Sequence, residues 1–240
     1  MSVKTARLRR ASTELAEAFN KNYIFDFKIK RPFYLNPKHK EFYNCVKNSK
    51  TKIGFVDGPA GSMKTYIAVY AGLELLREEV FTKLVYIRSI VESAEKSLGA
   101  LPGEIDDKFS PYAIPLDEKV AEIAGAGVCS MLKQKGLIEA IPVNFVRGLT
   151  FNKTLVIVDE AQNLSRKELT TILTRFGRHS KYIVIGDCNQ ADVNKSGYKE
   201  IFNMFNTHQS TENDIFSFKF GTAEISRSKI LKYICSVLGT

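Results

Sequence analysis

A chain of 240 residues, 44% hydrophobic and 25% charged, is long enough for one sizeable α/β domain and has the composition of an ordinary globular protein. Lys and Arg outnumber Asp and Glu by 35 to 26, which favours an anionic partner. No stretch reaches the apolar length of a membrane span, no apolar run follows the basic residues Lys4, Arg7, Arg9 and Arg10, and Cys45, Cys129, Cys188 and Cys235 lie far apart without a C-x-x-C pair; a membrane segment, signal peptide, metal cluster or disulfide framework is therefore not expected, and a reducing cytoplasm is.

Residues 1–31 read as an appendage, with a short helix over Ala11–Phe19 and a partly alternating edge strand over Tyr23–Ile29. Residues 32–240 read as a single domain. Pro37–Lys47 suits a helix, and Ile53-Gly54-Phe55-Val56 suits a buried strand. Directly after that strand comes Gly58-Pro59-Ala60-Gly61-Ser62-Met63-Lys64-Thr65. This is the phosphate-binding pattern G-x-x-x-x-G-K-[ST] with Met63 in place of the second glycine. Successive backbone N–H groups of such a loop point at phosphate oxygens, Lys64 would reach the β- and γ-phosphates, and the Thr65 hydroxyl would sit on Mg²⁺. An ordinary Gly/Pro turn with a solvated lysine has similar letters, but the strand before it and the helical spacing of Tyr66–Leu76 after it favour the nucleotide.

Lys83–Arg88 is the next strand. Residues 89–135 are broken by Gly99, Pro102, Gly103, Pro111 and Pro115 and read as an irregular insertion, helical over Asp117–Lys135 with a Gly-Ala-Gly interruption. Ile138–Val143 reads as a further strand. The β-branched run Thr154–Val158 ends in Asp159-Glu160-Ala161-Gln162. Paired acids at a buried strand end need a reason, because burying bare charge is costly. A Mg²⁺ site supplies it: Asp159 would hold the metal and Glu160 would polarise the attacking water. A helix N-terminus would account for one acid better than for both. Ser165–Phe176 reads as a helix opened by a capping box, Ser165 with Glu168. Tyr182–Gly186 is another buried strand, and its exit turn carries Asp187 and Gln190. Gln190 suits a sensor of the γ-phosphate, although the same letters suit a plain turn. Phe216–Phe220 alternates as a strand, and Ile225–Leu238 reads as a closing helix.

Strands alternating with helices indicate a mostly parallel sheet covered on both faces, with the site at the carboxyl ends of the strands, where Asp57, Asp159 and Asp187 all fall. Transition-state charge calls for an arginine, and Arg175 and Arg227 are the candidates, either of them on a neighbouring subunit's nucleotide. Tyr112, Phe145 and Phe151 could stack on bases or pack in the core.

These stretches, with Ile87–Ser93, Leu98-Gly99-Ala100-Leu101-Pro102-Gly103, Arg147–Asn152, Asp159-Glu160-Ala161-Gln162-Asn163 and Leu173–Gly177, resemble the PhoH-like family of P-loop ATPases over residues 32–240. The resemblance implies a RecA-like core similar to the first motor domain of superfamily-one helicases, with ATP and Mg²⁺ as cofactors. It implies ATP hydrolysis coupled to single-stranded nucleic acid, RNA before DNA. RNA unwinding belongs to members fused to a nuclease domain, and none is read in these residues. Such a core has half of a helicase cleft, so a homo-oligomer such as a hexameric ring is expected. There are two departures: Met63 replaces the loop glycine, and His39 stands where relatives often carry a glutamine that would read the adenine edge. The alternatives are a nucleotide-binding switch that turns over little because of Met63, and a small-molecule kinase, which the Asp-Glu-Ala-Gln strand end disfavours.

Overall fold

The computed structural model describes residues 27–30, 36–89, 105–190, 196–226 and 228–238. The expected helix at Ala11–Phe19 and most of the expected strand at Tyr23–Ile29 lie outside these residues. The described part of the latter, Phe27–Ile29, is not in the sheet: Phe27 is buried and the N–H of the following Lys30 donates to the Ile123 carbonyl at 2.9 Å.

Helix α1 (Pro37–Lys47) is capped by Asn36, whose side chain accepts from the His39 N–H, and has Pro37 in its first turn. It leads into β1 (Ile53–Asp57), α2 (Lys64–Arg77) and β2 (Lys83–Arg88). The next helix, α3, runs over Ile105–Ala124 and starts well ahead of Asp117, carrying Pro111 and Pro115 within it. Burial of Leu116, Val120 and Ile123 outweighs the prolines' low helix propensity, a tertiary effect that local reading misses. Gly125 at φ 98 separates it from α4 (Ala126–Gln134), at the expected Gly-Ala-Gly interruption. Then come β3 (Ile138–Pro142), β4 (Thr154–Asp159), α5 (Arg166–Leu173) and β5 (Lys181–Gly186). The capping box of Ser165 and Glu168 is formed. Two helices without a sequence expectation follow, α6 (Tyr198–Phe205) and α7 (His208–Glu212), before β6 (Ile215–Lys219). The last helix, α8, covers Lys229–Leu238 and starts later than Ile225, which is buried after a 3-10 turn at Thr222–Glu224.

The six strands form one parallel sheet in the order β3-β2-β4-β5-β1-β6. Side chains alternate between two cores. Leu84 and Tyr86 face α1–α4 together with Leu155, Ile157, Ile183 and Ile185. Val85 and Ile87 face α5 and α6 with Val156, Val158, Tyr182 and Val184. Burial on both faces is why the strands read as continuous apolar runs. The register aligns the strand ends: Asp57 pairs with Gly186 and Lys219, and Arg88 pairs with Asp159 and Pro142. The sheet thus delivers its charged carboxyl-terminal residues to a single edge.

Candidate nucleotide site

At that edge β1 turns sharply into α2. A side chain at Gly58 would bring its Cβ within 2.6 Å of the Phe220 Cβ, so the close approach of the two segments requires glycine. Gly61 has φ 79, which glycine adopts freely. Met63 lies in the same left-handed region, φ 63 and ψ 15, with no side-chain cap on α2. The first-turn N–H groups of α2 are therefore left for an anion.

The Lys64 ammonium folds over the loop, donating to the carbonyls of Gly58 and Pro59. Burial lowers its pKa, and the carboxylates of Asp187, Asp159, Glu160 and Asp57 oppose that shift. Thr65 donates its hydroxyl to Asp159 Oδ1 at 2.8 Å. The other oxygen, Oδ2, accepts from the buried Tyr86 hydroxyl at 2.5 Å. Desolvation and the Asp159 charge push the Tyr86 phenol well up, so it stays a donor. Asp159 is thereby fixed at both oxygens with Thr65 beside it.

Glu160 lies just beyond in a left-handed conformation, φ 52. Its Oε2 accepts from Gln162 Nε2 at 2.6 Å, and Oε1 lies 3.8 Å from an Arg88 nitrogen. Gln162 in turn accepts the Asp187 N–H at 3.1 Å and so ties the end of β4 to that of β5. Asp187 Oδ1 accepts the Asn189 N–H at 2.9 Å, while Oδ2 is buried without a hydrogen-bond partner among the described residues. Burial raises the Asp187 pKa against the opposing influence of the Asn189 N–H and Lys64. Asp57 is held by the Cys188 N–H at 2.8 Å, and burial together with the Asp57 charge pushes the Cys188 thiol up to about 12.

The functional groups of Lys64, Thr65, Asp159, Glu160, Gln162 and Asp187 line one cavity of about 720 Å³. Ala60 to Thr65 line it with Asp159, Glu160, Asp187 and Gln190, and Lys119 and Glu122 of α3 form part of its far wall. A P-loop lysine, a hydroxyl and two adjacent carboxylates converge as triphosphate chemistry requires.

The model of the PhoH-like protein family matches residues 34–238. The chain belongs to that family. It is 37% identical over 156 residues to the PhoH-like protein of Bacillus subtilis (strain 168), covering 65% of this chain and 48% of that one. To protein PhoH of Escherichia coli (strain K12) it is 34% identical over 141 residues, 58% of this chain and 40% of the relative. The chain thus spans about half the length, or less, of these curated relatives. A solved large terminase from a thermophilic bacteriophage aligns with 84% of this chain and 49% of its own at 11% identity and a TM-score of 0.48, too distant a likeness to bear on function.

Not every expected residue lines the cavity. His39 is wholly buried beneath the loop, with Nε2 3.1 Å from the Ser62 carbonyl and its ring against Phe220. The helix that carries it packs under the P-loop, so His39 buttresses the loop and offers no edge to a base. Gly58 and Pro59 stand behind the cavity, where their carbonyls hold Lys64. Helix α5 runs from the strand ends back toward the strand starts, which places Arg175 at the opposite edge of the sheet: its carbonyl accepts the Phe151 N–H just before β4. Arg175 is therefore remote from this chain's own Lys64. Arg227 lies outside the described residues. Of the candidate stacking aromatics, Phe151 is 7% exposed and belongs to the core, Phe145 is 57% exposed, and the side chain of Tyr112 is outside what is described. Sequence reading missed Tyr86, Arg88 and Gln162 as site residues. Strand pairing was the signal that could have found the first two, since β2 lies beside β4 with Arg88 opposite Asp159.

Proposed function

We propose that this chain binds ATP with Mg²⁺ and hydrolyses it, and that turnover is coupled to single-stranded nucleic acid, RNA before DNA, in the cytoplasm. The observation that carries this reading is the 2.8 Å contact between Thr65 and Asp159, 94 residues apart in sequence, at the mouth of a P-loop. Both are hard oxygen donors, which suits Mg²⁺, an ion that takes one or two carboxylates and fills the remainder with phosphate and water. When bound, the metal neutralises charge on the phosphate oxygens. Lys64 exchanges the loop carbonyls for the β- and γ-phosphates, and the N–H groups of residues 60–65 cradle them. Glu160 orients the attacking water and accepts its proton. Gln190, on the cavity wall, meets the γ-phosphate.

The net charge of +9 and the exposed Phe145 favour a nucleic-acid partner. The remoteness of Arg175 from its own cavity favours action on a neighbour's nucleotide, hence a homo-oligomer such as a hexameric ring. Steady-state phosphate release by the wild type and Lys64→Ala, with and without single-stranded RNA or DNA, tests the proposal. Hydrolysis abolished in Lys64→Ala, and stimulated by RNA in the wild type with a decline as salt rises, is the expected result. Absence of turnover in the wild type refutes it.

A second reading, a nucleotide-bound switch with little turnover, has one observation in its favour: Met63 occupies a left-handed conformation in which a side chain costs about 1–2 kcal/mol.

A further inference from the structure

Arg88 has no role in the reading above, yet it stands on the cavity wall. It ends β2, opposite Asp159 on one side and Pro142 on the other. Its guanidinium lies 3.8 Å from Glu160 Oε1, while Gln162 holds Oε2 at 2.6 Å. Gln162 thus engages one oxygen of the carboxylate that must receive a water, and the Arg88 charge faces the other. The two holds differ in kind. The Gln162 side chain is buried and hydrogen-bonded at both ends. The Arg88–Glu160 pair is wet, with 36% and 41% of the side chains exposed, and it is longer than a hydrogen bond. Such a pair contributes little, and a phosphate, which matches the guanidinium fork, can displace it.

A phosphate-bearing partner has an approach from the β3 side. Beyond Pro142 the chain enters the 3-10 turn Val143–Phe145, with the Phe145 ring 57% exposed and Arg147 exposed just after it. Gly148 at φ 83 turns the chain there. Arg88 ends β2, and the segment that follows the neighbouring β3 carries a second arginine and an exposed aromatic. Stacking surface beside cations is the combination that single strands use, whereas a nucleotide cofactor already has the P-loop.

We infer that Arg88 is the contact through which a bound single strand acts on Glu160. Without the strand, Arg88 stands beside Oε1 and competes for it with the water that must approach. A strand phosphate draws Arg88 away, and Gln162 keeps the carboxylate in place with Oε1 open. The consequence for turnover rests on the ATPase reading; the competition between strand and carboxylate for Arg88 does not.

The test is a double-mutant cycle in binding, without nucleotide, read by fluorescence anisotropy of a labelled oligouridylate. Glu160→Gln releases Arg88 and is expected to tighten binding by roughly two- to fivefold. In the Arg88→Ala background the same change is expected to do nothing. An equal gain in both backgrounds, no gain in either, or no binding by the wild type overturns the inference. Turnover then gives a second readout. Arg88→Ala should raise unstimulated hydrolysis and abolish stimulation by the strand, with Arg88→Lys between; a lowered unstimulated rate with stimulation intact also overturns it. If the wild type hydrolyses nothing while the cycle shows coupling, the ATPase reading fails and the Arg88 contact stands. If it hydrolyses and the cycle is additive, the reverse holds.

Discussion

Lys181 and Asp187 are both buried charges on β5 or at its end, and they sit in opposite circumstances. At the edge where strands begin, the Lys181 ammonium donates to the carbonyls of Val46 at 2.5 Å and Asn48 at 2.8 Å, closing the carboxyl end of α1. At the edge where strands finish, Asp187 keeps an oxygen with no hydrogen-bond partner among the described residues. The backbone repeats the contrast. Left-handed residues leading into strands, namely Glu79, Lys153, His179 and Asp214, are polar, in turns, and exposed or half-exposed. Among the described residues, the left-handed non-glycine residues following strands are Met63 and Glu160, on the cavity. Unmet groups occur near the strand starts as well, since the Arg175 Nε and the Tyr182 hydroxyl lack a hydrogen-bond partner among the described residues. What sets the finishing edge apart is that its unpaired acceptor is an acid and that its left-handed side chains line the cavity, as at sites that await a ligand.

Four substitutions separate the edges. The largest effect is expected from Asp159→Ala, which removes the carboxylate beside Thr65: ATP turnover should fall by about 100-fold or more, far beyond what a stability loss of about 1–3 kcal/mol from stranding the Tyr86 hydroxyl would account for. An unaltered rate would remove the exit edge from the chemistry. Next is Lys181→Met. It leaves the buried Val46 carbonyl without the Lys181 donor, whereas the Asn48 carbonyl keeps the Thr51 N–H, and should cost about 1–2 kcal/mol in denaturant unfolding, while activity per folded molecule holds. Its pH signature has a definite sign. Burial, with a smaller contribution from Lys47, lowers the Lys181 pKa from 10.5 to about 8. Between those values the unfolded chain binds more protons than the folded one. Wild-type stability, measured relative to Lys181→Met, should therefore climb from pH 8 to 10.5 and stay level below that window. A flat difference would mean that the two carbonyls fully offset the desolvation.

Asp187→Asn should stabilise the protein by about 1 kcal/mol, because it removes a buried charge with an unpaired oxygen, and should reduce turnover. Destabilisation would make Asp187 a structural residue. Met63→Gly should have the smallest effect on stability. Relief of about 1–2 kcal/mol of left-handed strain is offset by about 0.5–1 kcal/mol of glycine entropy. Its effect belongs in the rate: faster hydrolysis with an unchanged melting curve is expected, and equal rates would clear Met63 as a brake.

Most of the fold could be read from the sequence because the four inner strands are apolar runs buried on both faces and the edge strand β6 alternates. The loop and the acids were legible because each is contiguous: Gly58–Thr65 and Asp159-Glu160 state their chemistry within a few residues. Arg88 and Tyr86 were not, since their partners become neighbours only through the pairing of β2 with β4. His39 was misplaced for the same reason; its helix was correct, but the face turned toward the loop depends on packing. Helix α6 was missed although Tyr198, Ile201, Phe202 and Phe205 have helical spacing. Helix α3 could not have been bounded locally, because its prolines argue for a break that its buried face overrides.

Strand β2 has one more implication. Tyr86 grips Asp159 and Arg88 meets Glu160, two residues apart and so on the same side of the strand. A slip of one residue would turn both grips to the opposite face together and offer Val85 and Ile87 to the carboxylates instead. The turn between α2 and β2, residues 78–82, thereby acts as a ruler: its length sets the grips on Asp159 and Glu160 as much as it sets the sheet.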